Sequence, residues 1–222
     1  MTGAIKVLGI SGSPRRHGNT ETLLDAVLDG AREAGGEVEK IVLGSLDYAS
    51  CRGCNVCHRT GECIINDELT PVYDTIASAD VLVVTSPIYS MGITAELKGL
   101  IDRTQYIWAR KFILKTLYFT NEHTRRHKGI FVSTAGLGWE NVFDAAFPAI
   151  TAFFNTTGFE YWDNVIANDL DHYDGIRGHP TALAEGRAKG RKVVDLLRKM
   201  QESGEIETSS REETTPEHAT DT

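Results

Sequence analysis

No run of apolar residues in this chain approaches the ~20 needed to cross a bilayer as a helix, and the first residues lead straight into a β-type run instead of a secretory leader. Both absences predict a cytoplasmic protein with no membrane association. The formal net charge is -8 at pH 7, the pI is near 5.4, and no Lys/Arg cluster is long, so the basic surface that general nucleic-acid binding needs is missing. The seven His show no H-E-x-x-H spacing and read as surface or capping residues; no Ser-His-Asp arrangement is visible either. Only four Cys occur, all between positions 51 and 63. What remains is a chain of 222 residues, 41% hydrophobic and 24% charged, enough for one domain with a full core.

The stretch around which the chain is organised is IKVLGISGSPRRHGNTET, Ile5 to Thr22. Lys6 to Ile10 reads as a strand buried on both faces, and Ser11 to Gly18 is a loop of small residues with one Pro and two Arg. Asn19 or Thr20 suits an N-cap, and Leu23, Leu24, Val27, Leu28 and Ala31 follow with helical spacing. The loop amides and the helix start then face a common spot that favours an anion. Neither the Gly-Lys-Ser/Thr ending of a nucleotide-triphosphatase loop nor G-x-G-x-x-G is present, and no Cys lies in the loop. Hydroxyls and amides of Ser11, Ser13, Asn19 and Thr20, with Arg15 or Arg16 alongside, suit a single phosphate monoester. A plain Gly/Ser turn with two solvated Arg is the competing reading.

Short apolar runs and helical patterns then alternate. Strands are expected at Val38 to Leu43, Asp80 to Ser86, Gly129 to Thr134 and Tyr161 to Ala167. Helices are expected at Asp67 to Ala79, Thr94 to Ala109, Val142 to Thr157 and Thr181 to Gln201. Five alternations predict an α/β fold, a doubly wound five-stranded parallel sheet of order 2-1-3-4-5 with its ligand at the switch point beside strands one and three. Residues 1–201 form this domain. Residues 202–222, rich in Glu, Ser and Thr, read as a disordered acidic tail, with an arm on a neighbouring subunit as the other option.

The loop after the second strand carries the four cysteines in the pattern C-x2-C-x2-C-x5-C, at Cys51, Cys54, Cys57 and Cys63. Thiolates at this spacing wrap around one compact inorganic centre, and Gly53 and Gly61 let the backbone turn sharply enough to present them. The spacing favours an iron-sulfur cluster. A structural zinc, disulfides and free thiols near a flavin remain as alternatives.

GSPRRHGNTETLL, SPIYSMGI and the cysteine loop between them resemble the NAD(P)H-dependent FMN reductases of the flavodoxin-like superfamily. C-x2-C-x2-C-x5-C ending in GECIINDEL resembles their iron-sulfur flavoprotein branch. The resemblance implies a flavodoxin-like fold, FMN and a 4Fe-4S cluster on Cys51, Cys54, Cys57 and Cys63. It also implies a homodimer or homotetramer, ferredoxin or NAD(P)H as electron donor, and acceptors such as quinones, oxygen or peroxide. The FMN phosphate would sit on Ser11, Ser13, Arg15, Asn19 and Thr20. The flavin ring would lie against Pro87, Ile88, Tyr89, Ser90, Met91 and Gly92, with Thr134, Ala135 and Gly136 along its other edge. No catalytic acid or base is expected. Two further classes stay open: a reductase in which NAD(P)H reduces FMN directly without a cluster, and a redox-sensing flavoprotein. Tyr106, Trp108, Phe112, Tyr118 and Phe119 read as an aromatic stretch buried in the core or in a dimer contact.

Overall fold

The computed structural model describes residues 3–203, and the expected acidic tail lies outside the described residues from residue 204 onward. Five parallel strands, β1 (Lys6–Ser11), β2 (Glu37–Val42), β3 (Val81–Pro87), β4 (Lys128–Thr134) and β5 (Glu160–Ala167), form one sheet in the order β2-β1-β3-β4-β5. This is the expected order of a flavodoxin-like sheet. β3 is buried along almost its whole length and β4 throughout, as central strands covered on both faces must be.

The helices are α1 (Asn19–Glu33), α2 (Cys57–Thr60), α3 (Thr70–Ser78), α4 (Ala95–Arg103), α5 (Gln105–Trp108), α6 (Asn121–Arg126), α7 (Phe147–Thr157) and α8 (Ala182–Glu202). α1 and α8 cover one face of the sheet, burying Leu23, Leu24, Val27 and Val193 against Val7, Val83 and Val132. α3, α4 and α7 cover the other, where Tyr73, Leu97, Leu100, Ile150 and Phe153 meet Leu8, Ile10, Leu82 and Phe131. α1 and α8 touch backbone to backbone. A Cβ on Gly30 would lie 1.9 Å from the Arg187 carbonyl oxygen, and one on Gly190 would lie 1.9 Å from that of Val27.

Several boundaries differ from expectation, each for a local reason. α1 is capped by Gly18, which gives no side-chain hydrogen bond, instead of Asn19 or Thr20, whose side chains bond elsewhere. α3 starts at Thr70 and α7 at Phe147, later than expected, because Pro71 and Pro148 occupy first-turn positions, where a missing N–H is harmless. The expected helix Thr94 to Ala109 breaks at Thr104, whose hydroxyl takes the Ile101 carbonyl at 2.7 Å. Beyond α5 the chain widens into a π-helical turn, Ala109–Ile113, closed by Leu114 N–H to the Ala109 carbonyl at 2.9 Å. Among the described residues no helix is long and apolar enough to cross a membrane.

Candidate functional site at the carboxyl edge of the sheet

The loops leaving β1, β2, β3 and β4 all open at the carboxyl edge of the parallel sheet. The first, residues 12–18, passes so close to β3 that a Cβ on Gly12 would stand 2.6 Å from the Thr85 carbonyl oxygen and 2.7 Å from Leu97 Cβ. Only glycine fits there. The first intrahelical bond of α1 is donated by Thr22 to Gly18, so the amides of Asn19, Thr20 and Glu21 precede the helical ladder and present the positive end of the helix. Ser11 and Thr85 pair in register, and their Oγ and Oγ1 atoms are buried without a hydrogen-bond partner among the described residues. Both share the sheet face of Val7, Val81 and Val83, the face that α1 covers.

A carboxylate shapes this loop. Glu21 is 0% exposed, accepts from His17 N–H at 2.5 Å and Lys40 Nζ at 3.0 Å, and pairs with Arg16 at 3.4 Å. Burial alone would raise its pKa, but the His17 amide, Lys40 and Arg16 outweigh that and hold it below the ordinary glutamate value. Arg16 is therefore drawn toward the helix, and of the two loop arginines Arg15 is the one the pairing leaves for an anion.

The loop after β3 is a tight reversal. Tyr89 and Gly92 exchange two backbone hydrogen bonds of 2.9 Å, with Ser90 at φ 48° and Met91 at φ 66° between them. Both central residues have the positive φ of a type I′ turn, a conformation usually left to Asn and Gly. Non-glycine residues held there are a local strain of the kind found at binding sites. Tyr89 and Met91 stay open to solvent at 43% and 36% exposure. Thr94, 1% exposed, joins this loop to the first: its hydroxyl donates to the Gly12 carbonyl at 2.6 Å and its N–H to Ser86 Oγ at 2.9 Å. Ile88 N–H donates to the Thr134 carbonyl at 2.9 Å, placing the turn beside the end of β4.

The cysteine loop closes on itself. Cys51, Cys54, Cys57 and Cys63 all line one small cavity, together with Ile64, Ile65, Tyr106 and Arg103. No disulfide joins them. Burial pushes the Cys57 thiol up, and negative charge at Cys51, Cys54 and Cys63 would push it the same way. Among the described residues no three Cys, His, Asp or Glu converge on a single ion position. Asp67 and Arg103 close the base of this loop: Arg103 Nη1 lies 2.5 and 2.6 Å from the two carboxylate oxygens of Asp67. Burial drives the Tyr106 phenol up to about 12, so it stays protonated at neutral pH. His58 Nε2 meets Gln105 Nε2 at 3.2 Å, docking α5 on α2.

Of the residues expected around a phosphate, Ser11 and Ser13 are buried at the loop base and Arg15 is exposed beside them. Asn19 turns its side-chain oxygen to Ile176 N–H, and the Thr20 hydroxyl bonds Thr134 Oγ1, so these two offer backbone amides. Pro87, Ile88, Tyr89, Ser90, Met91 and Gly92 form the turn just described. Thr134 and Ala135 are buried at the end of β4, and Gly136 is half-buried, with the Asp171 carboxylate 2.6 Å from where a Cβ would be. Trp108, Phe112 and Tyr118 are 38%, 52% and 80% exposed, so the aromatic stretch is a surface more than a core. The sequence alone assigns no site role to Glu21, Thr85, Thr94, Asp67 or Arg103. Only Glu21, polar at a position that helical spacing places next to the loop, carried a local signal.

The family model for NADPH-dependent FMN reductases matches residues 5–152. The chain is 34% identical over 111 residues to an iron-sulfur flavoprotein of Methanosarcina thermophila, covering 50% of this chain and 58% of that one. It is 41% identical over 101 residues to an iron-sulfur flavoprotein of Methanocaldococcus jannaschii, covering 46% and 52%. The chain thus spans about half the length of the curated relatives it matches. Among solved structures, RosB with a bound 8-demethyl-8-formylriboflavin 5′-phosphate intermediate superposes at a TM-score of 0.64 and 14% identity, covering 98% of this chain and 94% of that one, a likeness of fold alone. With the loop after β1, the cysteine loop and the β3 turn all inside the matched span, the chain belongs to the NADPH-dependent FMN reductase family.

Proposed function

We propose that this protein is an FMN-dependent oxidoreductase that moves electrons from reduced ferredoxin or NAD(P)H to acceptors such as quinones, oxygen or peroxide, using FMN and one 4Fe-4S cluster. The observation that carries the reading is that four thiols surround one cavity at the same sheet edge as an anion-ready loop. FMN supplies one- and two-electron exchange, and the cluster supplies one-electron exchange.

The chain's residues bind and orient. The amides opening α1, the buried Ser11 hydroxyl, Ser13 and Arg15 would hold the phosphate, and the unpartnered Ser11 and Thr85 oxygens fit an acceptor-rich group lying above them. The Tyr89–Gly92 turn would present backbone amides to the flavin ring, with Thr134, Ala135 and Gly136 on its other edge. Cys51, Cys54, Cys57 and Cys63 would hold the cluster. Four thiols lining one cavity, with apolar Ile64 and Ile65 beside them, supply the all-cysteine donor set of such a cluster. No Ser, His or Asp is assigned as a catalytic acid or base.

The exposed Ile64, Trp108, Phe112 and Ile113, on or close after the cysteine loop and α5, support pairing of two copies as a homodimer or homotetramer that brings each cluster to a neighbour's flavin. Light scattering tests the pairing.

The deciding experiment is purification without oxygen, followed by a visible spectrum, iron and sulfide assays, and chromatography of the acid-released flavin. Flavin running as FAD overturns the cofactor assignment. Zinc in place of iron and sulfide overturns the cluster and leaves an NAD(P)H-dependent FMN or quinone reductase.

A further inference from the structure

Arg103 is 2% exposed, and four of its contacts tie together the two ends of the cysteine loop. Nη1 reaches both Asp67 carboxylate oxygens and donates to the Ala49 carbonyl at 3.3 Å, two residues before Cys51. Nη2 donates to the Ile65 carbonyl at 2.9 Å, two residues after Cys63. The remaining donor, Nε–H, is buried and has no acceptor among the described residues. A buried charged donor without a partner is unfavourable, so a native chain keeps one where something else completes it. Arg103 lines the cysteine cavity and Asp67 does not, so the cationic member of the pair is the one that faces the thiols.

We infer that Arg103 is a positioning and tuning residue for the cluster: its Nη atoms hold the ends of the cysteine loop, while its Nε–H and its charge stabilise the reduced centre and raise its reduction potential. The inference rests on the cluster reading above. Its physical basis is that reduction adds negative charge to a centre bound by four thiolates, and a nearby fixed cation and N–H donor favour that state. Asp67 sets how much of the positive charge the centre feels.

The test is a spectroelectrochemical titration of the anaerobically isolated holoprotein and three variants, with bound iron, sulfide and FMN measured alongside. Arg103→Gln lowers the cluster potential by at least 59 mV, a tenfold change for one electron. Arg103→Lys keeps a charge but withdraws the Nε–H donor, and lowers it by less. Asp67→Asn, nearly isosteric, removes the negative charge while keeping one of the two accepting oxygens that Ala49 and Leu69 N–H use, and raises it. A purely structural staple would not move the potential in opposite directions on the two sides of one ion pair. Unshifted potentials, or Arg103 and Asp67 variants shifting in the same direction, overturn the inference. If Arg103→Gln loses FMN as well and so is unfolded, Arg103→Lys and Asp67→Asn decide by the same opposed signs. A wild-type protein without iron and sulfide overturns the cluster reading itself, and the tuning role with it; a loaded wild type with unshifted variants overturns only the role of Arg103.

Discussion

The Oγ1 atoms of Thr20 and Thr134 lie 2.5 Å apart in a buried hydrogen bond between the first turn of α1 and the end of β4. Neither residue is more than 3% exposed, so water does not compensate either hydroxyl if the other is removed. Thr134→Val should therefore lower stability by about 1–3 kcal/mol, the penalty of one buried unpaired donor. The double variant Thr20→Val/Thr134→Val should be more stable than the sum of the two single losses predicts. Urea midpoints of the four proteins check this, and strict additivity would rule out a coupled pair.

Glu21 supplies a pH dependence at the anion loop. Its folded pKa lies below the ordinary value, so its stabilisation is complete above the ordinary glutamate range and is lost as pH falls through the folded pKa. Glu21→Gln should flatten the acid limb of the stability-pH curve and lower stability at neutral pH, because Lys40 and Arg16 lose their shared partner. Denaturant midpoints from pH 3 to pH 7 are the measurement. An acid limb identical to wild type would show that other carboxylates dominate it.

Cys63 stands apart from the other three cysteines in sequence but lines the same cavity. Cys63→Ala should strip iron and sulfide while leaving FMN bound near one per chain, since the anion loop follows a different strand. Metal analysis and flavin absorbance check both halves. A full cluster in this variant would mean that another group is the fourth ligand.

Met91 holds φ at 66° in a turn that glycine would adopt without strain. Left-handed backbone costs an L-residue about 1–2 kcal/mol, and glycine's extra chain entropy returns roughly 0.5–1 of it. Met91→Gly should raise the stability of the apoprotein by about 0.5–1 kcal/mol and weaken flavin binding, because the side chain leaves the turn. Urea unfolding and fluorescence titration with FMN separate the two effects. A destabilised apoprotein would mean that Met91 packing outweighs the backbone strain.

The five strands, their order and the place of the anion loop follow from periodicity, because alternating β and α patterns with right-handed crossovers leave few arrangements. Local patterns do not show which side chain meets which. Asp67 and Arg103 are 36 positions apart, and nothing around either marks the other as its partner. Thr20 reads as a cap because Thr favours caps, yet its hydroxyl is claimed by Thr134, 114 positions away at the end of β4. The Ser90–Met91 turn is hidden for the opposite reason: it lacks the Asn or Gly that announces such a turn. The breaks before Phe147 and Thr70 were readable, since Pro148 and Pro71 each mark a first helical turn.

The contact of Gly30 with α8 reaches beyond helix packing. The span shared with the family ends at residue 152, before β5 and α8, although it contains every residue named for phosphate, ring and cysteines. A chain stopped there would leave β4 as a raw sheet edge, uncover the apolar side of α1, and remove Ile176, whose amide binds Asn19 at the mouth of the anion loop. What is inherited as recognisable sequence is thus smaller than what must fold together. Residues 153–203, outside the family match, are the keel on which the loops at the carboxyl edge of the sheet are held.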